Sequence, residues 1–492
     1  MKGNNNPGAG AKRRLRGRVG GVAGAAALLG ALGVSSCGQA KRDTASQDTG
    51  GSQDTGGSSG AGGGPVGTVC YGDRLIGKLA ESEALEQERC STIEGSLEMT
   101  ASFPSHESLA GLSSLARVGG DLIVSYSQSL RSVDGLANLT YVGGDLLVQA
   151  NSRLASLAGF RSLTHLGGAL SVEFNGVLTS LDGLENLTKL DEELSITNNA
   201  SLSSLAALKA IAQTKELRIA SNQALGSLTG LEGLVSTVGS VSIEGNASLS
   251  SLQGLANLRA ITGNLEVSGN GSLSSLEGLD NLRSVGGAVK ILDVSQHGLE
   301  SRHGSLTSLS GLSNLAQVGL SLNIQGHSQL TSVGLTSLSQ VGFNLTIADC
   351  PALPSLAGLE NLARVAGSLH LTNLGVLSSL TGLRGLTSVG SDLEIRTTQL
   401  TSLDGLENLT SVGAGEIPPI PGALVVQDNA MLATLGPLHT WPSTTLEGNL
   451  RISGNSRLPS CEVQAFDIAQ RRPQAACGVE NCVHNDGPGN CQ

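Results

Sequence analysis

Thiols, imidazoles and carboxylates are the groups of this 492-residue chain that could do chemistry, and their spacing points away from catalysis. Of eight cysteines, Cys37 stands near the start, Cys70 and Cys90 are 20 residues apart, Cys350 is alone, and Cys461, Cys477, Cys482 and Cys491 crowd the end. Such thiols can form disulfides or hold a metal. Zinc on Cys477, Cys482, His484 and Cys491 would not have the spacing of a standard finger. Asp293, His297, Glu300 and His303 also come close in sequence, but they match no metal-ligand motif and read as a solvated loop. There is no G-x-S-x-G, H-E-x-x-H or Walker loop. Serines recur at fixed spacing (Ser156, Ser180, Ser204, Ser251, Ser275), and a residue repeated in every unit is architecture, whereas catalysis needs a singular constellation. No catalytic residue, cofactor or metal is expected.

The compartment decides between thiol chemistries. Residues 1–36 carry six Lys/Arg and no acid, and Val19–Gly33 is an apolar or small-residue run too short for a comfortable membrane span. A basic segment, a short apolar run and small residues make a secretory signal peptide. The closing V-S-S-C resembles the lipobox of bacterial lipoproteins. That resemblance implies that Cys37 becomes the N-terminus and carries acyl chains such as palmitate, which anchor a soluble body to a membrane. It also implies a lipid-anchored cell-envelope protein, with Gly38 favouring the outer membrane. Residues 37–69 are a lipidated cysteine and a Gly/Ser/Asp tether, with Q-D-T-G-G-S twice, that cannot build a core. Outside the cytoplasm disulfides are expected. Cys70–Cys90 would close an N-terminal cap, 70–96, with helical character from Leu75 to Glu88. The four last cysteines of a C-terminal cap, 456–492, admit three pairings.

A repeat lies between the caps. Asn246–Gly269 reads N-A-S-L-S-S-L-Q-G-L-A-N-L-R-A-I-T-G-N-L-E-V-S-G. Its apolar-any-apolar core begins at Leu97, Leu122, Leu146, Leu170, Leu194, Leu217, Val241, Leu265, Val289, Leu322, Leu345, Leu369, Leu393, Leu424 and Leu450. The steps are 23 to 26 residues except two, of 33 and 31, which carry inserts at Leu292–Gly304 and Ala414–Gly422. Period and motif are those of a leucine-rich solenoid. The expected fold is a β-rich, right-handed leucine-rich-repeat or parallel β-helix of about 15 turns over 97–455, with disulfide caps. Stacked at about 4.8 Å, its main sheet would be roughly 70 Å long. Five residues after each core start a polar position recurs (Asn151, Asn175, Asn199, Asn222, Asn246, Asn270, Asn429, Asn455). Asparagine there would adopt the left-handed region and bond turn backbone. Cys350 holds the same position and reads as a buried thiol.

The text S-L-x-G-L-x-N-L-x-x-V-G-G-x-L-x-I, as in Ser132–Val148, resembles the receptor L-domain family of growth-factor-type receptors and fungal GPI-anchored wall proteins. The likeness runs over about 91–455. It implies a ligand-binding or adhesion surface for a protein partner, and no enzyme. The alternative is a structural envelope spacer without a ligand. The binding face would carry Asp121, Asp145, Glu173, Glu193, Glu216, Glu244 and Glu266, with Arg218 and an apolar pair, Ile123 and Leu147. Without residues 1–36 the chain has 24 basic against 41 acidic residues, or −17, which excludes nucleic acid as a partner. Aromatic residues are 2 % of the chain, so carbohydrate binding by ring stacking is a weak second, with Tyr126, Phe174 and Trp441 as candidates.

Overall fold

A computed structural model describes residues 67–77, 84, 87–100, 109–293, 305–415 and 422–470. Its main element is one parallel sheet of 16 strands in unbroken chain order. Fifteen of them, from Leu97–Thr100 to Leu450–Ser453, begin on the residues at which the sequence pattern starts each core. The first residue of each strand, and the third, point inward. Leu170, Val172, Leu194 and Ile196 are fully buried and stand in register, Leu170 on Leu194 and Val172 on Ile196. Each such side chain contributes about 1.5–3 kcal/mol by leaving water. An aliphatic core thus closes without a stack of rings.

The sixteenth strand lies upstream. Arg74–Ile76 pairs with Leu97–Met99, inside the segment expected to be a helical cap. Helix in that segment is found at Ala84, Gln87 and Glu88 among the described residues. The Cys70–Cys90 disulfide closes this turn, with Cα atoms 5.8 Å apart. At the other end a helix, Ser460–Ala469, buries Val463 and Phe466, and Phe466 meets Trp441 edge-on at 6.0 Å. Cys461 is disulfide-bonded. Cys477, Cys482 and Cys491 lie outside the described residues, as do Cys37, residues 38–66 of the tether and most of both inserts; the end of the tether is instead part of a strand, Thr68–Cys70, paired with Cys90–Ile93. Among the described residues no helix is long and apolar enough to cross a membrane.

A second line of short strands, of two residues each after Thr68–Cys70 and Cys90–Ile93, precedes the main strands, in stretches of six and eight. It breaks at the turn where Q-T-K replaces V-G-G. There the Thr214 hydroxyl donates to Glu192 O at 2.7 Å, and one isolated bridge, Thr214 to Thr237, spans the gap. A third line is made of bridges between serines, including Ser132–Ser156 and Ser180–Ser204. The recurrent serines are structural: Ser156 Oγ accepts the N–H of Ala158, starting the bend.

The asparagine position forms a buried ladder. Asn175 Oδ1 accepts the backbone N–H of Asn151 at 3.1 Å, and its Nδ2 donates to Val148 O at 2.9 Å. The same bonds recur from Asn151 to Asn270. The left-handed conformation expected of these asparagines belongs instead to the residue before each of them. Ala150, Phe174, Asn198 and Ser221 have φ between 54° and 57°, as has Tyr126 before Ser127, which holds the same position one turn earlier. Reversing the chain one residue earlier aims the asparagine amide inward, where it can serve two neighbouring turns.

Past the 33-residue step the ladder changes hands. His327 takes the asparagine position and bonds Ile291 O through Nε2 at 3.0 Å, leaving Nδ1 buried without a partner. Cys350 follows, buried, and burial pushes its thiol up to about 11, so it is held as a neutral donor to Ala348 O. At Leu374 and Thr398 the strands grow to six residues and pair directly. Strand extension replaces the side-chain ladder.

Candidate binding face

The outward side of the main sheet holds two positions per strand, the second and fourth. Ile123 and Leu147 occupy the second position on adjacent strands, side by side in register and half-buried. Arg218, Glu266 and Lys290 continue that column, and Glu173 and Glu244 stand in the fourth position. Arg218 lies 3.7 Å from Glu244, and Lys290 lies 3.3 Å from Glu266. Glu173 accepts hydrogen bonds from Ser171 at 2.8 Å and Ser195 at 3.5 Å.

Asp121 and Asp145 sit one residue ahead of their strands, and their carboxylates are turned along the stack. Asp121 Oδ1 accepts the N–H of Asp145 at 2.8 Å, and Asp145 Oδ1 accepts that of Ala169 at 2.7 Å. This position forms a second ladder, resumed by Ser240 and Asn264 and then by Ser321, Asn344, Ser368 and Asp392. Sequence reasoning missed it, although the signal is present: a short polar residue, Asp, Asn or Ser, recurs immediately before the core leucine.

Glu193 and Glu216 occupy the same position as Asp121 but join no ladder. Their side chains form no ion pair among the described residues. Glu193 is held above the usual carboxylate range, first by burial, then by the charge of Glu216, with Glu173 and Asp145 adding and Arg218 opposing. Four acidic groups from four consecutive turns therefore share one field. The face and the turn rim also meet at two rings. Tyr126 and Phe174 are 60 % and 52 % exposed, and both have φ of 56°. A left-handed bulky residue costs about 1–3 kcal/mol, which these exposed rings do not recover by packing. They are two turns apart, roughly 10 Å. Trp441, the third ring considered for carbohydrate, is 5 % exposed and donates to Leu406 O at 3.1 Å, so it is a core residue.

The second line of strands presents another surface. Arg117 lies over the Tyr141 ring at 3.6 Å, and Tyr141 stacks on His165 at 4.7 Å, one turn per group.

A receptor L domain model matches residues 89–158. The match spans the strands that begin at Leu97, Leu122 and Leu146, and the same bonding pattern continues through the later turns. The described chain is thus a leucine-rich parallel β-solenoid whose first turns carry the receptor L domain pattern. Among solved structures, the TLR13–ssRNA13 complex is matched over 82 % of this chain and 77 % of that one, at 16 % identity and a TM-score of 0.19. At that score the likeness carries no argument about fold or ligand. No curated protein matches the sequence.

Proposed function

We propose that this chain is a lipid-anchored protein of the cell envelope, and that the first half of its main sheet is a docking surface for a protein partner bearing basic side chains. The observation that carries the reading is the shared field of Asp145, Glu173, Glu193 and Glu216, with Glu193 half-buried and raised. A fold gains nothing from gathering like charges that Arg218, itself 3.7 Å from Glu244, offsets only in part. A partner's lysine or arginine would relieve them, and the exposed rings of Tyr126 and Phe174 add area that is apolar and already fixed. Receptor L domains and leucine-rich solenoids are typically non-catalytic binding modules, and the repeated bonding of this chain fits that use.

Charge reversal at Glu173, Glu193 and Glu216 is expected to weaken saturable binding of the protein to envelope fractions more than tenfold. The wild type should lose affinity as salt rises. It should also lose affinity on acidification, beginning at a higher pH than ordinary glutamates would give, because Glu193 takes up its proton early. Binding that ignores salt and the triple reversal would sink the protein-docking reading, and no saturable binding at all would favour a spacer. The anchor has its own test. Cys37→Ser should abolish incorporation of radiolabelled palmitate and shift the protein to the soluble fraction; an unchanged membrane fraction would overturn the anchor.

A further inference from the structure

An open trough of about 380 Å³ runs along the second line of strands, away from the acidic face. Its floor includes Gly286, Gly319 and Gly342, one per turn, and one side carries Ser284, Gln317 and Gln340, also one per turn and in register. The floor must be bare. A Cβ on Gly319 would lie 2.0 Å from Gly286 O, and one on Gly342 would lie 2.0 Å from Gly319 O. Immediately after these glycines the chain turns a corner. Gly287 and Gly367 hold that corner on the flanking turns, but the two turns between place Leu320 and Phe343 there, 52 % and 40 % exposed. Two apolar side chains thus stand in solvent where most turns use glycine and the remaining ones a polar residue, Glu192, Lys215 or Ser391.

The chemistry of the trough narrows its occupant. The N–H groups of Gly286, Gly319 and Gly342 are all donated to the preceding turn, at 2.8 Å each. The strands are internal to their sheet, so no edge is open for an added β-strand. An extended peptide would find no main-chain partners. No ionisable side chain lines the trough. A polyanion would meet neutral walls on a body of strongly negative charge. What the trough offers is an amide donor and acceptor on successive turns, from Gln317 and Gln340, and one residue past its glycines, outside its own lining, stand the exposed Leu320 and Phe343. Sugar rings ask for that pair of features: hydroxyls that both donate and accept, and a face of C–H groups that packs on a ring or an alkyl chain. The rung spacing of about 4.8 Å is close to the length of one pyranose unit.

We infer that this trough binds a neutral polysaccharide lying along the solenoid axis, with Gln317 and Gln340 on its hydroxyls and Leu320 and Phe343 against its rings. The site is separate from the acidic face and does not depend on it. The test uses the full chain in depletion assays with microcrystalline cellulose, chitin and an insoluble β-1,3-glucan, and with polygalacturonate as the acidic control. At least one neutral polymer should deplete the protein, with little effect of salt. L320G/F343G restores the glycines of the flanking turns, so it should fold like the wild type by circular dichroism and bind about tenfold more weakly. Q317A/Q340A should weaken binding similarly, and the triple glutamate reversal should leave it intact. Depletion by none of the three neutral polymers, depletion by polygalacturonate alone, or full binding by folded L320G/F343G would each overturn the inference.

Discussion

Replacing Gly278 by alanine is expected to destabilise the solenoid by about 4 kcal/mol, against about 2 kcal/mol for the same change at Gly254. Both glycines occupy the bend of the G-L-x-N-L text, and a Cβ on either would meet the backbone of the turn below, at 2.3 Å from Leu252 or 1.8 Å from Leu228 O. Crowding is therefore common to both. The difference is conformational. Gly254 lies in a 3-10 turn, Gln253–Leu255, with ordinary dihedrals. Gly278 has φ of 107°, where alanine is strained. The cause can be read two residues downstream. Where that residue is acidic, its carboxylate accepts the glycine N–H, as in Asp280 to Gly278 at 2.8 Å and Glu185 to Gly183 at 2.9 Å, and the glycine takes positive φ. The same holds at Gly230, Gly358 and Gly405. Where it is not acidic, 3-10 turns form at most bends, one of which holds Ala207, buried, in the glycine's place; Gly334, followed by Thr336 in a turn one residue shorter, has φ of 62° without a carboxylate. Ala207 shows that a Cβ fits this bend once the dihedrals are ordinary. Removing the acid should release the turn, so D280A/G278A should cost less than the sum of its parts. Urea denaturation with hydrogen exchange on the flanking turns measures this. Equal losses at Gly254 and Gly278, or strict additivity, would show that φ is not the controlling variable.

Positions that repeat were legible in the sequence. Fifteen strand starts could be counted because apolar alternation at constant spacing admits one register, and a slip of one residue would expose every core side chain. Cys350 could be placed as a buried thiol because it shares the asparagine position. What was not legible depends on relations between turns. Asp121 and Asp145 looked like face residues because they alternate with the core, but a short carboxylate placed one residue before a strand reaches the next turn's N–H more easily than it reaches solvent. Glu193 and Glu216, one methylene longer at the same position, do not make that bond and remain on the face. Tyr126 and Phe174 were visible as rings, but their strained backbone was not, since the left-handed residue was expected one position later. The corner residues Leu320 and Phe343 acquire meaning only beside the glycines above and below them.

Asn199→Ala is expected to cost about 3–5 kcal/mol and to open the ladder on both sides, since a buried group left without its partner costs about 1–3 kcal/mol. Asn199 Oδ1 accepts the N–H of Asn175 at 3.0 Å, while its Nδ2 donates to Val172 O at 2.8 Å and Thr197 O at 3.0 Å. All these groups are buried, and no water can replace the amide without entering the core. Later turns show how the protein does without asparagine, and why a single substitution cannot copy them. His327 supplies the donor but not the acceptor, and its Nδ1 stays orphaned. Leu374 dispenses with both, but only because its strand and the next are both extended and pair Leu374 with Thr398. A leucine at 199 between Asn175 and Asn222 would have no extended neighbour, so Asn199→Leu should be about as harmful as Asn199→Ala despite its greater apolar area. Asn199→Asp would keep the acceptor but lose both donations and bury a charge, and should be worse at neutral pH than at acid pH. Hydrogen exchange should report the damage first at the amides of Asn175 and Asn199. If Asn199→Leu were tolerated, the ladder would be decoration on a sheet that holds its turns by strand pairing alone.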